Sequence, residues 1–327
     1  MSRYLLLEKV KIQNANCIAG LTYGFPAISH FLGFTHALSR KLAPDFGIEL
    51  SGCAVVCHQH QVQAYQPDGW GDYIFALTRN PLTKEGNTAP IVEEGRMHLT
   101  VSLIIECKGI LDAAAVARFI EAVASQSYRQ RMAGGQIVYL HNVSVFADDD
   151  IASLSRQVMR KVLPGFVLAD RSSLLKQHYA QQKMVKPDIT MLDAWLDFAA
   201  LTYQAVQPTS TGSAAAEPQK VLWQYQPKPA PGYLVPITIG YKAISPLYPA
   251  GAVANSRDPQ SPFCFVESAY GVGEWLSPHR IYNLADVIWR YQHSDGWYTC
   301  GTNGQQINPQ LHPEQEILLE DETEMTY

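Results

Sequence analysis

Residues 96–107 alternate: Met97, Leu99, Val101, Leu103 and Ile105 are apolar, and Arg96, His98, Thr100 and Ser102 between them are polar. A period of two places the two sets on opposite faces of a strand. Residues 3–13 and 48–62 read as two further strands, and 136–146 as a fourth. Between the first two, Ile28, Phe31, Leu32, Thr35, Leu38 and Leu42 follow helical spacing, with Pro26 pre-setting the start. Asp112 stands where it can cap a second helix, whose Val116, Phe119, Ile120 and Val123 face a core.

The order is therefore βαββαβ over residues 1–146, the ferredoxin-like arrangement of RNA-recognition folds, and the expected class is α+β. Residues 63–95 are too long for a plain hairpin loop. "YIFALTR" at 73–79 can pair with "IVEEGRM" at 91–97, which predicts a protruding β-hairpin, a thumb, with Arg79, Asn80, Lys84 and Arg96 on it. Helical patterns at 150–162, 171–183 and 189–205 make 147–206 a helical insertion. A small-residue and proline stretch predicts a flexible linker at 207–219. Residues 220–311 read as a β-rich region, with strands near 233–241 and 263–270. One amphipathic helix over 284–292 carries Leu284, Val287, Ile288 and Tyr291.

Composition narrows the classes. Hydrophobic content of 47% over 327 residues supports a sizeable core. No apolar run approaches the roughly 18 residues that span a bilayer, so no membrane partner is expected. Leu5, Leu6 and Leu7 are followed at once by Glu8 and Lys9, unlike a secretory signal, and a cytoplasmic location follows as the expectation. Six cysteines without a C-x-x-C pair read as reduced thiols. The net charge of −5 includes a tail, 312–327, with six acids and no lysine or arginine, so the rest of the chain is formally +1. Any polyanion bound here needs local clusters or partner subunits.

No cofactor, metal or catalytic centre is expected from the motifs. His30 and His36 stand about 240° apart on their helix and share no face. His58 and His60 share a strand face, but Cys53 and Cys57 point to the other, so no tetrahedral zinc site forms. "HLT" at 98–100 is half of a paired two-histidine signature that has no second copy. "GVG" at 271–273 lacks the remainder of any nucleotide loop. It reads as a tight turn or as a loop that a nucleic-acid backbone can approach. Trp275, His279 and Arg280 beside it fit the second reading, or else a packed aromatic with a solvated arginine.

The polar face of the third strand carries no aromatic residue, so base stacking on the sheet is not expected. Binding falls to the loops and the hairpin. Asn14 and Asn16 can read base edges, and N–H groups from Gly24 to Ile28 can hold a phosphate. Tyr23 and Phe25 can stack on a base or pack into the core.

The blocks "IQNAN", "TYGFP", "GFTHAL", "VVCH", "LTRNPL", "IVEEGRMHL", "LPGF", "LVPI", "SPLY", "FVE" and "GEWLSPHR" stand in one order along nearly the whole chain. In them the chain resembles the second Csy subunits of type I-F CRISPR surveillance complexes, the Cas-five-like members of the RAMP superfamily. The resemblance implies a non-catalytic subunit that pairs with a large Csy subunit and grips the 5′ handle of the CRISPR RNA. Such a subunit caps a filament of backbone Csy subunits and meets target DNA only indirectly, through the complex, in antiviral defence. The rival reading is a metal-independent endoribonuclease that processes CRISPR repeat RNA, with His30, His36 or His98 as acid or base.

Overall fold

A computed structural model describes residues 2–79, 82–109, 112–206 and 221–302. Asn80, the linker at 207–219 and the acidic tail at 312–327 lie outside the described residues.

In chain order the first half contains β1 (Ser2–Asn16), α1 (Ile28–Phe46), β2 (Glu49–Val62), β3 (Arg96–Lys108), α2 (Ala113–Tyr128), β4 (Gly135–Tyr139) and β5 (Asn142–Asp148). β3 lies between β1 and β2 and is antiparallel to both. The fourth strand expected over 136–146 is two strands. β5 pairs with the first half of β1 and β4 with the second. The cause sits in β1, where Lys9 takes a left-handed φ of 46° and the register with β3 shifts between Leu7 and Val10. A bulge there bends the strand, so its two halves need separate partners. Asp112 does cap α2, accepting from the Ala115 N–H at 2.6 Å.

Beyond residue 147 come α3 (Ile151–Lys161), β6 (Phe166–Asp170), α4 (Ser172–Val185), α5 (Met191–Ala199), β7 (Thr202–Val206) and β8 (Leu222–Gln226). The described chain closes with β9 (Leu234–Ala243), β10 (Val266–Leu276), β11 (Trp289–Ser294) and β12 (Trp297–Thr302). β6 pairs with β2, so the sheet runs on without a break in the order β4-β1-β3-β2-β6-β10-β9-β12-β11. The fold is mixed α and β, with one large antiparallel sheet and, among the described residues, five α-helices. None of those helices is long and apolar enough to cross a membrane. β7 and β8 form a separate ribbon outside the large sheet.

The helix expected over 284–292 is corrected by the structure. Leu284–Asp286 is a single 3₁₀ turn and Trp289 already begins β11. Four apolar residues at helical spacing cannot distinguish a helix from a turn that feeds a strand. Here Leu284, Val287 and Ile288 are buried with Leu154 and Val158 of α3, while Trp289 lies in the opposite core and donates from Nε1 to the Leu168 carbonyl at 2.9 Å. The helix expected over 189–205 likewise stops at Ala199, because Thr202–Val206 pairs with β8.

Among the described residues the two larger of three buried apolar clusters lie on opposite faces of the sheet, and the third joins α4 and α5 to β9 and β10. On the helical face, Phe31, Leu38 and Leu42 of α1 and Phe119 and Val123 of α2 meet Leu5, Leu7, Val101, Leu103 and Ile105. On the reverse face, α3 and the segment around Ile281–Ile288 cover Tyr4, Leu6, Val56 and Ile104. The polar face of β3 is therefore half covered. Ser102 is buried, and only its neighbours toward Arg96 remain uncovered.

Candidate nucleic-acid interface

The turn between β1 and α1 builds one side of a cavity. Asn16 folds the chain here: its amide donates to the Ile18 carbonyl at 2.7 Å, and its Oδ1 accepts from the Ile18 N–H at 3.2 Å. Gly24 takes a φ of 111°, a left-handed value for which glycine is suited, and its N–H donates to the Cys17 carbonyl at 2.9 Å. The turn then delivers Phe25 against Trp275 of β10, edge to face with centroids 4.9 Å apart, and against Phe31 of α1 at 5.8 Å.

Tyr23, Gly24, Phe25 and Trp275 line a cavity of about 570 Å³. Its far wall comes from β9, through Val235, Pro236 and Ile237, and from Tyr233 just before it. Pro236 is tolerated in this strand because β9 meets β12 only from Gly240 onward, so the missing N–H faces no partner. His60 completes a wall that is otherwise mostly apolar and aromatic. Tyr23 is 52% exposed and Tyr233 70% exposed, so two phenol rings of the lining are open to solvent. Such a cavity can accept one flat, unstacked ring.

The remaining expected residues are placed elsewhere. Asn14 has a left-handed φ of 55°; its N–H donates to Nδ1 of His98 at 3.3 Å, and its Oδ1 accepts from Gln63 at 2.8 Å. Arg96 is engaged by Glu94. One N–H of the Asn16 amide and the N–H of Gly24 are engaged within the turn. His279 and Arg280 are exposed in a 3₁₀ turn (Pro278–Arg280). Arg280 approaches Glu274 at 3.9 Å, and Arg171 already holds that carboxylate at 2.6 Å. Arg79 is exposed on the projection between β2 and β3. There Leu77–Arg79 pairs with Ile91–Glu93, the part of the expected hairpin nearest its tip, whereas Ile74–Phe75 pairs back to Ala64–Tyr65.

The histidines are dispersed. His98 alternates with Met97 and Leu99 and so points to the reverse face, while His30 and His36 belong to α1 on the helical face. His58 bridges the sheet internally, with Nδ1 2.6 Å from the Pro164 carbonyl and Nε2 2.7 Å from Ser102 Oγ. Burial pushes its pKa below the usual 6.5; the nearby Lys9 charge acts the same way, and the Pro164 hydrogen bond opposes them. Among the described residues no three His, Cys, Asp or Glu side chains gather as a metal site.

A family model described as CRISPR-associated protein (Cas_Csy2) matches residues 5–300. The chain belongs to this family. CRISPR-associated protein Csy2 of Pseudomonas aeruginosa (strain UCBPP-PA14) is 42% identical over 304 residues, which cover 89% of this chain and 91% of that relative. Csy2 proteins are the second Csy subunits of type I-F CRISPR systems. The matched span takes in the first-half sheet and the β6–β12 continuation, so both sides of the cavity lie within the family region. Sequence reasoning missed Tyr233, His60 and Ile237 as cavity residues. The one available signal was the proline inside an otherwise strand-like run at 234–241.

Proposed function

We propose that this chain is a non-catalytic, RNA-holding subunit of a multi-subunit type I-F complex in the cytoplasm. It grips the 5′ handle of the CRISPR RNA, pairs with the large Csy subunit and caps the filament of backbone subunits, so that target DNA is read by the guide. Residues 1–146 serve as a ferredoxin-like core, supported by the strand order β4-β1-β3-β2 with α1 and α2 on one face. The projection at 63–95 serves as the thumb toward a backbone subunit.

The observation that carries the reading is the meeting of Tyr23, Phe25 and Trp275 around one open cavity. Aromatic walls and solvent-exposed phenol rings suit a base held out of its stack. An RNase built on His98 with His30 or His36 is disfavoured, because the sheet separates their side chains.

Co-expression with the large partner and a CRISPR RNA tests the proposal. The expected product is a stable complex with a nucleic-acid absorbance ratio, whose handle is protected from chemical probing. A complex with an unprotected handle would overturn the RNA-holding role. Site-specific cleavage of labelled repeat RNA, abolished by a His→Ala change, would establish the enzymatic rival instead.

A further inference from the structure

The uncovered half of the reverse face carries a polar array whose lysine, arginine and glutamines are not among the expected RNA-contact residues. Register places Tyr139, Lys11, Thr100 and Gln59 in one row across β4, β1, β3 and β2. Arg131, Gln136 and Gln13 form the next row, with His98 and Gln61 paired beside it. Directly paired residues share a face of the sheet. Lys11, Gln13, Gln59, Gln61, Arg131 and Gln136 are all exposed. Between the strands lies a shallow groove of about 600 Å³.

We propose that this array is a second RNA-contact surface, which binds the backbone and base edges of a single-stranded segment without stacking it. The proposal rests on the RNA-holding reading and extends it from the aromatic cavity to the sheet itself. Charge is the first argument. The two rows hold two cations and no carboxylate, in a chain whose net charge is −5. Lys11 has no ion pair among the described residues, and its ammonium rests 5.5 Å from the Tyr139 ring centroid. The acids at the borders are already engaged. Glu8 is buried and accepts from Asn142 and Ser144, and Glu94 holds Arg96.

Chemistry is the second argument. Each glutamine presents a donor and an acceptor together, the pair that a base edge matches, while Lys11 and Arg131 neutralise phosphates. Four exposed amides flanked by like charges make a poor centre for a protein contact, which is normally depleted of charge. Continuity is the third. The array passes through His98 to Asn14 and Gln63, at the foot of the turn that carries Tyr23.

The test uses the assembled complex on CRISPR RNA carrying 4-thiouridine, with photocrosslinked peptides identified by mass spectrometry. Crosslinks are expected within β1, β2, β3 and β4. Lys11→Glu with Arg131→Glu should weaken RNA binding about tenfold or more and make the log–log salt slope shallower by about 1.4. Gln59→Ala with Gln61→Ala should weaken binding with no change in slope. Thermal melts of these surface variants report whether the fold is kept. Crosslinks confined to the 17–26 turn or the 63–95 projection, with both double variants binding normally, would overturn the sheet-face site and leave the RNA-holding reading intact. Loss of a partner subunit from complexes of the double variants, with RNA affinity unchanged, would make the array a protein interface and equally overturn the site. RNA crosslinks to no part of this chain would defeat both.

Discussion

Arg290 of β11 clamps Glu106 of β3 through two hydrogen bonds, Nη2 to Oε1 at 2.8 Å and Nε to Oε2 at 3.2 Å, across 184 positions of sequence. Ser51 of β2 donates to the same carboxylate at 2.6 Å, so three strands meet at one group. This contact ties the late strands to the early sheet. Both side chains are about a quarter exposed or less.

Arg290→Ala should therefore cost about 1–3 kcal/mol of stability, read from urea unfolding. Burial alone would push the Glu106 carboxyl up, but its hydrogen bonds to Arg290 and Ser51 outweigh that and hold it below the usual 4.5. A depressed carboxylate contributes its stability above the unfolded pKa and loses it as pH falls through the folded one. The gap between wild type and Arg290→Ala should accordingly shrink below about pH 4.5. A gap that is constant in pH would show that the pair contributes little charge-dependent stability.

Tyr23 and Phe25 are neighbours with opposite duties. Phe25 packs on Phe31 and Trp275, so Phe25→Ala should lower stability by about 2 kcal/mol. Tyr23 stands half free, touching Phe75 edge to face at 5.1 Å. Tyr23→Ala should leave the melting temperature nearly unchanged and weaken RNA retention by about 1–3 kcal/mol. Paired melting and RNA-binding measurements on the two variants separate the roles.

Arg79 and Arg280 differ in how free their charge is. Arg79 is exposed and has no ion pair among the described residues, so Arg79→Ala should weaken assembly on RNA by about 1–3 kcal/mol. Arg280 stands near the Glu274 carboxylate, and its removal should cost less. Filter binding at fixed salt compares them, and unchanged affinity in both would remove them from the interface.

His58 makes stability pH-dependent. Burial favours its neutral form, so its folded pKa lies below its unfolded one. Its contribution is complete above about pH 6.5 and is lost as pH falls through the folded value. His30, whose pKa is also lowered by burial, acts in the same direction. Urea midpoints should be lower at pH 5.5 than at pH 7.5, and His58→Gln should reduce that difference.

Periodicity made the first half legible. Alternation in β3, the apolar stripe of α1 and the Asp112 cap are local consequences of side-chain direction, and each falls where the pattern puts it. The cavity was only half legible. Tyr23, Gly24 and Phe25 were drawn together by the turn that holds them, and Trp275 by its neighbours. Tyr233 and Ile237 gave no local sign beyond the neighbouring Pro236, because what makes them cavity residues is a β9–β10 pairing about 215 positions away from the turn. Asn16 and Gly24 show the reverse effect, because each has a polar group engaged inside the turn. A polar group looks available in sequence until the backbone group that consumes it is known.

By its residue order alone, this chain determines its early strands, its two packed helices, its family and its lack of a long apolar helix among the described residues. All of these depend on short-range spacing or on matching blocks. Only the tertiary structure decides that the late strands extend the same sheet, that Leu284 to Ile288 cap a core in a turn, and that half of the reverse face stays uncovered. Those outcomes depend on which distant surface buries which residue, and burial is a property of the whole packed chain.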